Sequence, residues 1–78
     1  LIISPNPSEY AWTLTGDYKG NELKLELFDI QGKLIRSSIV NNSRNLNYKV
    51  ENSNLSQGAY FIRLSDGTKQ FSIQVIKK

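Results

Sequence analysis

The chain contains no cysteine, no histidine and no methionine, and each absence removes a class of chemistry. Without cysteine there is neither a disulfide staple nor a thiolate nucleophile or metal ligand. Without histidine the usual general base near neutral pH and the commonest imidazole ligand are both missing. Proline is confined to two positions, Pro5 and Pro7. No apolar run approaches the roughly 20 residues needed to span a bilayer, so membrane insertion is not expected. The net charge of +3 comes from lysines and arginines spread along the chain rather than gathered. A field that diffuse does not point to nucleic acid as a partner.

What remains is 78 residues with 38% hydrophobic content, enough for one core but not two. A core of this size leaves a folding margin of roughly 3 to 5 kcal/mol. The acidic residues are scattered among turns and outward strand positions, with no spacing that suggests a paired acid and base. Serines have no candidate base beside them, and glycines are too dispersed for a phosphate loop. The chain is therefore not expected to be an enzyme, and no cofactor or metal is implied.

Period-two alternation recurs along the chain, whereas helical spacing does not, so the fold is expected to be all-β. Leu23, Leu25 and Leu27 face one way, with Lys24 and Glu26 opposite. The same reasoning turns inward Tyr10, Trp12 and Leu14, then Leu46, Tyr48 and Val50, then Tyr60, Ile62 and Leu64, and finally Phe71, Ile73 and Val75. Asp66-Gly67 predicts a two-residue type I′ hairpin joining strands at 59 to 65 and 68 to 76. Asp29-Ile-Gln-Gly32 predicts a type I turn followed by a left-handed glycine, closing a second hairpin. The polar stretches 16 to 21 and 41 to 45 read as loops, with Tyr18 exposed in the first. About seven short strands without an interleaved helix imply an antiparallel β-sandwich of the immunoglobulin or fibronectin kind.

Three local patterns carry more information. Pro5-Asn6-Pro7 removes two backbone donors and reads as a rigid lead into the first sandwich strand. In Leu55-Ser-Gln-Gly58-Ala-Tyr60 the leucine plugs the core, the glycine relieves a bend, and the tyrosine hydroxyl reaches back to an upstream main-chain group as in a tyrosine corner. Lys77-Lys78 reads as a solvated strand end that discourages edge pairing.

In this order and at these separations, Pro5-Asn6-Pro7, Phe28-Asp29-Ile30-Gln31-Gly32-Lys33-Leu34, Leu55 to Ile62 and a lysine-ended last strand resemble the type A C-terminal sorting domain of the Bacteroidetes type IX secretion system. The resemblance runs from about Ile3 to Lys78. One departure is Ser72 and Gln74 in the last strand, where many relatives carry more lysine.

The resemblance implies a single sorting domain over residues 1 to 78, taken from the end of a larger secreted precursor. Such a domain directs an N-terminal cargo through the outer-membrane translocon, is usually cut off by a sorting transpeptidase, and leaves the cargo at the cell surface or released. The expected location is the periplasm in transit, then the surface or medium. Carried over residue by residue, Pro5, Asn6 and Pro7, then Asp29, Gly32 and Lys33, then Leu55, Gly58 and Tyr60, and last Lys77 and Lys78 are the sorting-motif residues. The alternative reading is a fibronectin-like accessory or carbohydrate-binding module of a surface enzyme, for which Trp12, Tyr10 and Tyr18 are the aromatic candidates.

Overall fold

The computed structural model describes residues 1–5, 7–20, 22–41 and 43–78, and Asn6 of the first motif lies outside the described residues. Among the described residues seven strands form two antiparallel sheets: β1 (Ile2–Ser4), β2 (Ala11–Tyr18), β3 (Leu23–Asp29), β4 (Leu34–Val40), β5 (Ser43–Glu51), β6 (Gly58–Ser65) and β7 (Gln70–Lys77). One sheet has the order β1-β2-β5 and the other β4-β3-β6-β7. No described residue is helical. This is the expected all-β, immunoglobulin-like sandwich.

Alternation builds the core. Leu23, Leu25 and Leu27 of β3 and Tyr60, Ile62 and Leu64 of β6 meet Trp12 and Leu14 of β2 and Leu46 and Val50 of β5, with Val40 and Val75 completing the cluster. Register explains the fit, since Leu25 pairs with Leu64 and Leu27 with Ile62, so neighbouring strands turn their leucines to the same face. On the outer face Glu26 is nonetheless covered, because Arg63 clamps its Oε1 through Nε at 3.0 Å and Nη2 at 2.8 Å while stacking 4.9 Å from the Phe28 ring centroid.

Several expectations are corrected. Phe71 and Ile73 share the inward parity of Val75 yet are 52% and 37% exposed. They lie on an edge strand of a four-stranded sheet whose partner has three strands, so alternation assigns them a face but nothing closes over it. Tyr10 is 72% exposed and precedes β2, where its carbonyl accepts the Asn52 N–H instead of continuing the ladder. Strands also reach into both presumed loops, β2 to Tyr18 and β5 from Ser43. Tyr18 consequently packs against the core rather than standing free. Desolvation, and secondarily the Asp66 charge, raise the pKa of its phenol.

The Asp66-Gly67 turn is not type I′. That turn needs positive φ at both central residues, and only Gly67 has it, at 93°. Asp66 instead keeps negative φ and its carboxylate accepts the N–H groups of Thr68 and Lys69, while its own N–H bonds the Lys69 carbonyl. The hairpin therefore opens into a longer loop and β7 starts at Gln70. The Asp29 turn forms as expected, with Gly32 at φ 87° and its N–H on the Asp29 carbonyl.

Candidate recognition end built from four separated motifs

The strand registers place every sorting-motif residue that the structure describes at one end of the sandwich. β3 ends there at Asp29, which pairs with Tyr60; Tyr60 pairs with Val75, and Gly58 with Lys77. β5 ends there at Glu51, paired with Ala11 at the start of β2. Leu1 lies at the opposite end, its Cα 3.2 Å from where a Cβ on Gly16 would stand. The principal extents are 33 × 23 × 16 Å.

Pro5 and Pro7 are not a lead into the first strand, because β1 precedes them. The chain pairs with β2 of one sheet at Ile2–Ser4 and with β7 of the other at Ser8, so the prolines carry it across from sheet to sheet. Proline suits that passage because it offers no N–H for a ladder to miss. Beyond them Ser8 N–H donates to the Ile76 carbonyl at 3.0 Å and Lys78 N–H to the Ser8 carbonyl at 2.8 Å, a short parallel bridge. The Ser8 hydroxyl donates to the Ala11 carbonyl and accepts the Ala11 N–H, fixing the turn into β2.

This arrangement changes the reading of the terminal lysines. Lys77 is not solvated: it is buried, and its Nζ donates to the Glu9 carbonyl. The Trp12 indole N–H reaches the Ile76 carbonyl at 3.2 Å, so the same strand end is also held from β2. Lys78 is exposed. With Pro5, Pro7, Tyr10 and Ala11 it lines an open groove of about 440 Å³, which unites the first and last motifs.

The middle motif supplies the tip beside them. The Asp29 carboxylate accepts the N–H groups of Gln31 and Lys33, both at 2.9 Å, and Gly32 provides the left-handed residue the turn requires. Asp29 thus shapes the tip, and Ile30, 69% exposed, is displayed on it. The third motif closes the base. Tyr60 is buried and its hydroxyl donates to the Ser56 carbonyl at 2.7 Å, the expected corner, while Leu55 packs against the core. Gly58 is needed for its φ of 142° rather than for space, since a Cβ there would meet nothing within 4 Å. The Arg36 guanidinium, donating at 2.7 Å to the Glu51 carbonyl, ties the two sheets on the side opposite Ser8.

Sequence reasoning did not single out Ser8, Glu9 or Arg36. Their roles are backbone contacts between elements far apart in the chain, which no local pattern announces. Of the aromatic candidates, Trp12 is fully buried and stacks obliquely on Tyr60 at 6.0 Å, leaving Tyr10 alone as an exposed ring.

Among the described residues no three acidic side chains converge on a metal-sized site. Glu26, the most buried carboxylate among them, is committed to Arg63. Among the described residues, the end that carries the motifs presents the exposed apolar groups Tyr10 and Ile30 and the exposed cations Lys33 and Lys78.

Residues 3–78 match the family described as the secretion system C-terminal sorting domain, and the chain belongs to that family. It is a C-terminal sorting signal for type IX secretion, a non-catalytic kind of domain, and membership implies attachment to a cargo and export across the outer membrane. No curated protein matches the chain.

Proposed function

We propose that the sandwich end assembled from the four motifs is the surface that the type IX translocon reads, and that residues 1 to 78 act as one sorting domain at the end of a larger secreted precursor. The observation that supports this is the gathering itself. Motifs some 70 residues apart in sequence meet where Ser8 bridges Lys77, whereas Leu1 is at the other end. A cargo joined ahead of Leu1 would stand away from the reading surface and leave it open to a partner. The interface is pre-formed, so recognition does not carry the entropic cost of folding on contact.

Within this surface the motif residues and their neighbours Tyr10 and Ile30 divide in two. Pro5, Pro7, Asp29, Gly32, Leu55, Gly58, Tyr60 and Lys77 hold the shape, while Lys78, Tyr10 and Ile30 are displayed. Lys33 is exposed beside the tip. The domain crosses the periplasm folded, engages the translocon through this end, and is then removed by the sorting transpeptidase, leaving cargo on the surface or in the medium.

The test is a fusion of residues 1 to 78 to an exported fluorescent protein in a type IX host, compared with a translocon-null strain. The reporter is expected outside the cell only when the translocon is present. Tyr10→Asp combined with Lys78→Glu is expected to cut that export at least severalfold with the fold intact by circular dichroism. Lys69→Glu, at the opposite end, is expected to leave it unchanged. Full export of the folded double variant would remove this end as the reading surface, and retention of the unmodified fusion would remove the sorting role for the isolated domain.

A further inference from the structure

The four sheet edges are not equally protected. β1 has three residues and runs into Pro5. β7 is closed at its end by Ser8. β5 carries Arg44, Lys49 and Glu51. β4 is different: Leu34-Ile-Arg-Ser-Ser-Ile-Val40 has seven residues, no proline, no lysine and no acid, and its one charge, Arg36, is held by the Glu51 carbonyl. Natural edge strands are normally blunted by such residues, because an open edge is a template for another strand.

The sequence of β4 also says what would fit. Around Ser37 it is nearly symmetric, with polar residues at the centre and on both sides, Arg36 and Ser38, and apolar residues beyond, Ile35 and Leu34 on one side and Ile39 and Val40 on the other. Three of the apolar side chains are open, Ile39 at 53%, Leu34 at 47% and Ile35 at 37%. Backbone alternation carries the same message. The Ser8 bond to the Ile76 carbonyl fixes which residues of β7 turn away from β6. Counting across the paired strands β6 and β3 then turns the N–H and C=O of Ser37 and Ile39 to the free side of β4.

We infer that β4 is a self-association edge, and that its occupant is β4 of a second copy of this chain, antiparallel about a two-fold axis at Ser37. In that register Ser37 faces Ser37, Arg36 faces Ser38 so that no cations are opposed, and Ile39 faces Ile35 of the second copy. An isologous contact of this kind closes on itself and joins two four-stranded sheets into one of eight. Of the four motifs only Leu34, the last residue of the second, is used, and none of the residues carried over as sorting-motif residues is, so the contact leaves the sorting surface open.

Sedimentation equilibrium of the domain across micromolar to millimolar loading tests this. A monomer–dimer equilibrium is expected with a dissociation constant between roughly 10 μM and 1 mM, the weak end suited to an interface under about 1,200 Å². Ile39→Lys is expected to raise that constant at least tenfold. Ser37→Pro, which removes a donor that points away from the sheet and so spares the monomer, is expected to do the same. Amide exchange at Ser37 and Ile39 is expected to slow as concentration rises. A monomer throughout that range overturns the inference and leaves the edge to a strand of another protein. A dimer untouched by both substitutions overturns it equally.

Discussion

The Nζ of Lys77 donates to the carbonyl oxygen of Glu9, 68 residues earlier in the chain. A terminal lysine pair that looks interchangeable in sequence is thereby split into a buried member that holds the first motif against the last and an exposed member beside the groove. Lys77→Ala removes a hydrogen bond from a charged donor at a part-buried site, and is expected to cost about 1–2 kcal/mol by urea unfolding. Lys78→Ala is expected to change stability by less than about 0.5 kcal/mol. In the export assay Lys77→Ala should act through folding and be partly rescued at lower temperature, whereas any loss with Lys78→Ala should be insensitive to temperature.

Tyr60 closes the same end from the other side. Tyr60→Phe leaves the ring in place between Trp12 and the core and deletes only the donor to the Ser56 carbonyl. The expected loss is about 1–1.5 kcal/mol with an unchanged denaturant slope, since the surface exposed on unfolding is the same. Export by the folded variant should be retained, because the hydroxyl faces backbone rather than a partner.

How far these arrangements could be read in advance depends on what each signal encodes. Alternation encodes a face, and where the opposite sheet covers that face it succeeded, as at Leu23, Leu25, Leu27, Tyr60, Ile62 and Leu64. It misled at Phe71 and Ile73 because coverage depends on strand number in the other sheet, a property of topology and not of the local run. Tyr10 was misplaced for a related reason, its parity continuing past the point where the Asn52 N–H captures its carbonyl. The tyrosine corner and the Asp29 turn were legible because their partners lie within a few residues. The Ser8 bridge was not, and with it the meeting of the first and last motifs, which exists only through the register of β1, β2 and β7.

The Asp66 loop gives the domain an acid limb. The Lys69 and Thr68 N–H groups on its carboxylate hold its pKa below the ordinary carboxylate value. A group whose pKa is depressed on folding contributes stability above its unfolded pKa, about 3.9, and loses it as pH falls through the folded value. Urea midpoints measured between pH 6 and pH 2 should fall below about pH 4. Asp66→Asn, which keeps a side-chain carbonyl acceptor but cannot titrate, should flatten that fall while leaving the hairpin formed.

Asn52 presents the reverse situation, a buried polar side chain that the fold leaves without a partner among the described residues. Its side chain is fully buried, and neither its Nδ2 nor its Oδ1 has a hydrogen-bond partner among the described residues. Its backbone is fully engaged, the N–H on the Tyr10 carbonyl and the C=O taking the Leu55 N–H, so the residue is held in place by its main chain alone. A buried amide left unpaired costs about 1–3 kcal/mol in desolvation, whereas an apolar side chain of similar size adds contacts at no such cost. Its φ is negative, so leucine can adopt the same backbone. Asn52→Leu is therefore expected to raise the unfolding free energy by about 1–2 kcal/mol and to shift the urea midpoint upward with no change in slope. Asn52→Ala, which removes the amide but leaves a void at a fully buried position, should gain less. If Asn52→Leu instead destabilises the domain while Asn52→Asp folds well, the amide is satisfied in solution and the buried end of the sandwich is wetter than its side chains suggest.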